Sequence, residues 1–184
     1  MRFLVIRFLG FAGFFRISEL RSLQVKHITF HEKYMSILLE EAKTDQHRNG
    51  ETIYIQELGH GRCPVSIVRK YMQMTELNAR NENFLLSRLA KTKNGHRALG
   101  KYQLSYTRIR ENFKEMINGC IVGKEAERLC LHSLRAGGAS AAADNGVSDR
   151  LISKHGRWSS ATSRDTYIKD SKKVRLSVTG KLGL

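Results

Sequence analysis

The sequence holds a single proline, Pro64, and a single tryptophan, Trp158, in 184 residues. One proline excludes a proline-rich linker or a polyproline recognition segment. Cysteine is scarce and odd in number: Cys63, Cys120 and Cys130. Three widely spaced thiols exclude a disulfide framework and point to a reducing compartment. His60-x-x-Cys63 and Cys130-x-His132 imitate metal pairs, but neither has a second pair at zinc-site spacing, so no metal is expected. Acid is also short, with 17 Asp and Glu against 32 Lys and Arg. No uncharged apolar run is long enough to span a bilayer. The apolar start, M-R-F-L-V-I-R-F-L-G-F-A-G-F-F, is broken by Arg7 and has no small-residue cleavage site after it. It is expected to be a buried helix.

What is present is positive charge. The formal net charge is +15 and the isoelectric point about 10.1. The excess runs from Arg2 to Lys181 and is not one tail. A folded domain this basic faces a polyanion, nucleic acid first. The length suits one domain with a real core, and no internal repeat or low-complexity segment divides it.

Periodicity predicts a mainly α chain with a small three-stranded antiparallel sheet. Residues 3–15 form an apolar helix loosened by Gly10 and Gly13, and residues 18–23 a second helix beyond a bend near Arg16. I-T-F, Y-M-S-I-L-L-E and E-T-I-Y-I are strand-like, rich in β-branched and aromatic residues. Asn49-Gly50 marks a turn, and Lys43 lies near the tip of that hairpin. Pro64 opens a helix reaching about Leu77. F-L-L-S-R is short and apolar, and A-K-T-K-N-G-H-R is a basic loop. Residues 103–117 show helical spacing, with Leu104, Ile109, Phe113 and Ile117 inward and Arg108, Arg110 and Lys114 outward. Gly119 ends that helix and 123–128 is a polar connector. A small-residue helix covers 132–145, Ser148 caps another, and a short helix from Ser160 carries Tyr167. The tail from Lys169 to Leu184 is basic and then apolar.

The chemistry concentrates between Leu131 and Tyr167. In L-H-S-L-R, His132 and Arg135 stand one helical turn apart. H-G-R-W follows, and Tyr167 comes nine positions after Trp158. Arg16, upstream in R-I-S-E-L, adds a second guanidinium. A His, two Arg, an indole N–H and a phenol suit a phosphodiester, since Arg holds non-bridging oxygens and Tyr can be a nucleophile. Each residue also has an ordinary reading: Arg16 and Lys43 as solvated surface groups, His132 as a cap, Trp158 as core.

These motifs resemble the catalytic domain of the tyrosine recombinase (phage integrase) family, nearest its Cre-like branch. R-I-S-E-L is similar to the first-arginine motif, K-T-D-Q to the hairpin lysine, and H-S-L-R to the H-x-x-R box. G-R-W is similar to the box where many members have His and Cre-like ones have Trp. The resemblance covers nearly the whole chain. It implies a metal-independent, cofactor-free DNA strand transferase. Tyr167 would attack the scissile phosphate and join its 3′ end, with Arg16 and Arg135 on the non-bridging oxygens. Lys43 would protonate the 5′ oxygen, His132 would act as acid–base partner, and Trp158 would donate its indole N–H. Glu19 would brace the pocket; His155 is a secondary rival for the histidine position.

It also implies double-stranded DNA as partner, four protomers in a synapse, and residues 170–184 as a tail docking on a neighbour through Val174, Leu176, Val178, Leu182 and Leu184. The family's N-terminal helical domain has no counterpart here, so 1–184 is expected to be the catalytic domain alone. Arg108, Arg110 and Lys114 are the candidate groove contacts. A type IB topoisomerase and an idle DNA-binding module from a mobile element are the alternatives. Localisation follows the host: nucleus or bacterial nucleoid.

Overall fold

The computed structural model describes residues 1–40, 50–78, 82–93, 95–121 and 123–183. Helix α1 (Arg2–Ala12) runs through the middle of the molecule and buries Val5, Ile6 and Leu9. Arg7 and Phe11 are exposed on its outer side. Helix α2 (Ile17–Ser22) follows after a sharp turn in which Phe14 takes a positive φ of 48°. Strands β1 (Ile28–Phe30), β2 (Tyr34–Leu39) and β3 (Glu51–Gln56) make an antiparallel sheet in that order. Its register pairs Ile28 with Ile37 and Ile37 with Ile53. Met35, Ile37, Ile53 and Ile55 face the core while Tyr34 and Tyr54 face out, the period-2 alternation of a half-buried sheet. Helix α3 (Pro64–Met74) begins at its proline, as expected. Cys63 caps its start as a buried residue whose sulfur accepts the Leu58 N–H at 3.2 Å. It is a packing residue.

The segment expected to be a short apolar piece and a basic loop is instead a second sheet. Strands β4 (Ser87–Thr92) and β5 (Gly95–Gln103) pair as an antiparallel hairpin. Asn94-Gly95 is a strong hairpin signal. Lysines on both sides hid the alternation, because this hairpin is mostly exposed and has little apolar face to reveal it. It also moves the start of the next helix, since Gln103 belongs to β5. Helix α4 (Tyr106–Cys120) begins at Ser105, whose hydroxyl accepts the Arg108 N–H at 3.2 Å, and Gly119 does not stop it. Ile109 and Phe113 are buried, and Arg108, Arg110 and Lys114 are exposed, as the spacing predicted.

The connector at 123–128 contains the short helix α5 (Lys124–Arg128). Helices α6 (His132–Asp144), α7 (Asp149–Gly156) and α8 (Ala161–Asp165) follow. The tail forms helix α9 (Lys172–Gly180), with Leu176 and Val178 exposed on it and Leu182 exposed just beyond its end. Helix α6 crosses α1 closely because it is built of small residues. A Cβ at Gly138 would overlap the Phe11 carbonyl, and one at Gly10 would press Leu134. That close approach decides where Arg135 goes: to the C-terminal end of α1. Among the described residues no helix is long and apolar enough to cross a membrane.

Candidate active site

The site begins with unsatisfied carbonyls. A helix leaves its last C=O groups without intrahelical partners. At the end of α1 these are claimed by cationic and polar side chains from far along the chain. The Ala12 carbonyl meets His155 Nε2 at 2.8 Å. The Gly13 carbonyl accepts from Arg157 Nη1 at 3.1 Å. The Phe14 carbonyl accepts from Arg157 Nη2 at 2.8 Å and from Arg135 Nη1. Positive charge at a helix C-terminus also suits the helix dipole.

Arg135 is the centre. It is 1% exposed, an unusual state for an arginine. Its Nη1 and Nη2 donate to the Phe14 and Gly156 carbonyls. Its guanidinium carbon lies 4.5 Å from the centre of the Trp158 ring and 5.2 Å from that of Tyr167. The two rings are themselves 5.2 Å apart. Burial, and then the neighbouring charges of Arg16 and Arg157, push the Arg135 pKa down to about 10, with Glu19 and Tyr167 pulling it back up. It remains charged at neutral pH, but it is poorly compensated.

Arg16 stands at the N-cap of α2, its side chain 19% exposed. Glu19, buried in the first turn of α2, receives its backbone N–H at 2.6 Å and its Nη1 at 2.7 Å. The same carboxylate accepts Arg157 Nη2 at 2.8 Å. Arg16 and Arg157 thus share one carboxylate, which Arg135 feels only through its charge; three guanidinium groups against one carboxylate leave a net of two positive charges in a largely buried cluster. Such a cluster favours an anion.

Trp158 is delivered by the end of α7. Trp158 N–H bonds the Ser153 carbonyl at 3.0 Å and Arg157 N–H the Lys154 carbonyl at 3.2 Å. This is the Schellman pattern, in which the reversing residue is left-handed and usually glycine. Here that residue is Arg157, with φ 59°. Gly156 before it leaves room for the indole, since a Cβ there would overlap the Trp158 ring. The Trp158 Nε1 is buried and has no hydrogen-bond partner among the described residues.

Tyr167 follows α8 in a turn, two residues past Asp165, and is not within the helix expected to carry it. Helix α8 is tied to α7 by Arg164 and Asp149 at 3.0 Å. The Tyr167 carbonyl accepts the Ser140 hydroxyl of α6 at 3.3 Å, and Ser140 in turn accepts the Lys169 N–H at 2.9 Å. Tyr167 is half-buried beside Trp158.

The structure therefore brings Arg16, Glu19, Arg135, Trp158 and Tyr167 into one cluster. His132, one turn before Arg135, is exposed at the start of α6. Lys43 lies outside the described residues. His155 is a capping group, packed edge-on against Phe14 at 4.7 Å between ring centres. Its pKa is lowered, by burial first and then by the nearby Arg157 and Arg135, against the Ala12 hydrogen bond. The sequence reading missed Arg157. Its only local signal is a charged residue just past a helix-ending glycine.

The phage integrase family model matches residues 4–173. The chain belongs to that family. An integrase/recombinase XerD homologue from Selenomonas ruminantium is 27% identical over 162 residues, covering 88% of this chain and 45% of the relative. The chain thus spans about half the length of that curated relative. Among solved structures, XerH site-specific recombinase bound to difH substrate matches with TM-score 0.67 and 17% identity, over 97% of this chain and 45% of that one. XerA recombinase matches with TM-score 0.68 and 15% identity, over 96% and 56%. The fold is that of these integrase-family domains.

Proposed function

We propose that this chain is the strand-cleaving domain of a site-specific DNA recombinase. The observation that supports this best is the buried Arg135 guanidinium packed against both the Trp158 and Tyr167 rings, beside an Arg16 held by Glu19. The Tyr167 oxygen attacks the scissile phosphorus; the Tyr–O–P bond forms and the P–O5′ bond breaks. The phenolic proton passes to His132, and the departing 5′ oxygen takes a proton from Lys43. Arg16 and Arg135 hold the non-bridging oxygens as charge builds on them, and the Trp158 N–H donates there too. One phosphate ester is exchanged for another, so the step is reversible and needs no nucleotide cofactor. The structural neighbours favour recombination: one is XerH recombinase bound to its difH substrate, and another is a Flpe–Holliday junction complex. Arg108, Arg110 and Lys114 form the outward face of α4 and are the proposed DNA contacts.

The proposed partner besides double-stranded DNA is a second copy of the chain. A groove of about 900 Å³ opens between α1, β3, α6 and α7, lined by Phe8, Phe11, Phe14, Leu58 and Leu151. Helix α9 exposes Leu176 and Val178, Leu182 is exposed just past its end, and none of the three belongs to that lining. Seating one protomer's α9 in its neighbour's groove would link protomers on DNA. Leu184 lies outside the described residues.

The test is a duplex nicked beside the scissile phosphate, which traps the covalent intermediate. Wild-type chain is expected to give a covalent protein–DNA band and Tyr167→Phe none. No band, or the same band from both, contradicts the proposal.

A further inference from the structure

We propose that Arg157 is a positioning residue that holds the two phosphate-binding arginines in one frame. The inference rests on the function proposed above for Arg16 and Arg135.

Arg157 occupies a backbone position that favours glycine, so its side chain must recover the conformational strain. It does so with a set of bonds that joins the residues after α1, the end of α7 and Glu19 of α2. Nη1 donates to the Gly13 and His155 carbonyls at 3.1 and 2.8 Å. Nη2 donates to the Phe14 carbonyl and to Glu19 Oε2, each at 2.8 Å. The side chain is buried, and its guanidinium also lies 5.3 Å from the centre of the Phe15 ring.

Two of those acceptors are shared with the proposed phosphate ligands. Glu19 Oε2 takes Arg157 while Oε1 takes Arg16, so a carboxylate fixed on one side fixes a guanidinium on the other. The Phe14 carbonyl takes both Arg157 and Arg135. Phe14 is itself left-handed, so its carbonyl direction needs a tether. Arg157 is thus the one described side chain that touches the partners of both Arg16 and Arg135. A lysine has the charge but cannot bridge these acceptors, because its donors sit on one nitrogen. Phosphoryl transfer depends on donors placed before the reaction, and displacement of about 1 Å can cost roughly 10²-fold in rate.

The test compares the wild-type chain with R157G, which keeps the left-handed turn free of strain, and R157K. Folding is checked first by circular dichroism, and R157K carries the test if R157G does not fold. Single-turnover cleavage of a nicked duplex is measured with an ordinary scissile phosphate and with a methylphosphonate, which lacks one anionic oxygen. Both variants are expected to bind duplex like wild type and to cleave the phosphate more slowly, R157G by roughly 10²-fold. The defect is expected to shrink on methylphosphonate, where a misplaced Arg16 matters less. E19Q combined with R157G is expected to lose less than the sum of the two single losses, since both loosen the Glu19 contact. Wild-type rates in the variants, an equal defect on both substrates, or additive losses would overturn the inference. If the wild type itself cleaves neither substrate, the proposed function fails instead. The positioning claim is then decided without DNA: the Arg16 Nε–H resonance is expected to shift and broaden in R157G, and an unchanged resonance overturns it.

Discussion

The described residues form two apolar clusters, and they are held together differently. The larger joins α1, the first sheet, α3 and α4 through residues such as Leu9, Ile37, Leu86 and Ile109, all fully buried. It is an ordinary core, made where apolar positions recur at helix and strand periods. The smaller joins Phe14, Ala139, Ile152 and Trp158, with Tyr167 packed on it. It closes around guanidinium groups, and small residues and reversed backbones make it possible. The first cluster supplies stability. The second keeps cations together at some cost, which an anionic substrate would relieve.

The largest separation between them should come from Arg135→Ala. Loss of this donor is expected to slow cleavage by roughly 10²–10³-fold while duplex binding largely persists. Leu86→Ala should do the reverse: a stability loss of about 2–5 kcal/mol by denaturant unfolding, with an unchanged cleavage rate per folded molecule. Equal effects of the two on either quantity would erase the distinction. Gly156→Ala falls between them. Its Cβ must displace the Trp158 indole, so a destabilisation of about 1–3 kcal/mol is expected together with slower cleavage.

The smallest effect sharpens the comparison through pH. His155 has a folded pKa below its ordinary value of 6.5, because burial disfavours its charged form. Above that ordinary value the group is neutral in both states and its contribution is complete. As pH falls through 6.5 toward the lowered folded value, the unfolded chain takes the proton first and stability is lost. Thermal unfolding should show this slope in wild type and a flatter one in His155→Gln.

The difference between the clusters also governs what the sequence could reveal. The alternation of Met35 and Ile37, and of Ile53 and Ile55, exposed the first sheet directly. The H-S-L-R box and the spacing from Trp158 to Tyr167 pointed to the cluster of Arg135, Trp158 and Tyr167. The β4–β5 hairpin stayed hidden because its lysines follow no apolar period. Arg157 stayed hidden because its importance lies in a positive φ and in carbonyls about 143 positions upstream, as with its bond to Phe14. The exposure of His132 beside a buried Arg135 could not be foreseen either. Helical spacing places them on one face but does not say how deep each sits.

The most direct measurement is to digest the trapped protein–DNA adduct and locate the nucleotide-bearing residue by tandem mass spectrometry. The account predicts the link on Tyr167, through a 3′ phosphate. A link on another of the six tyrosines, or a 5′ linkage, would contradict it.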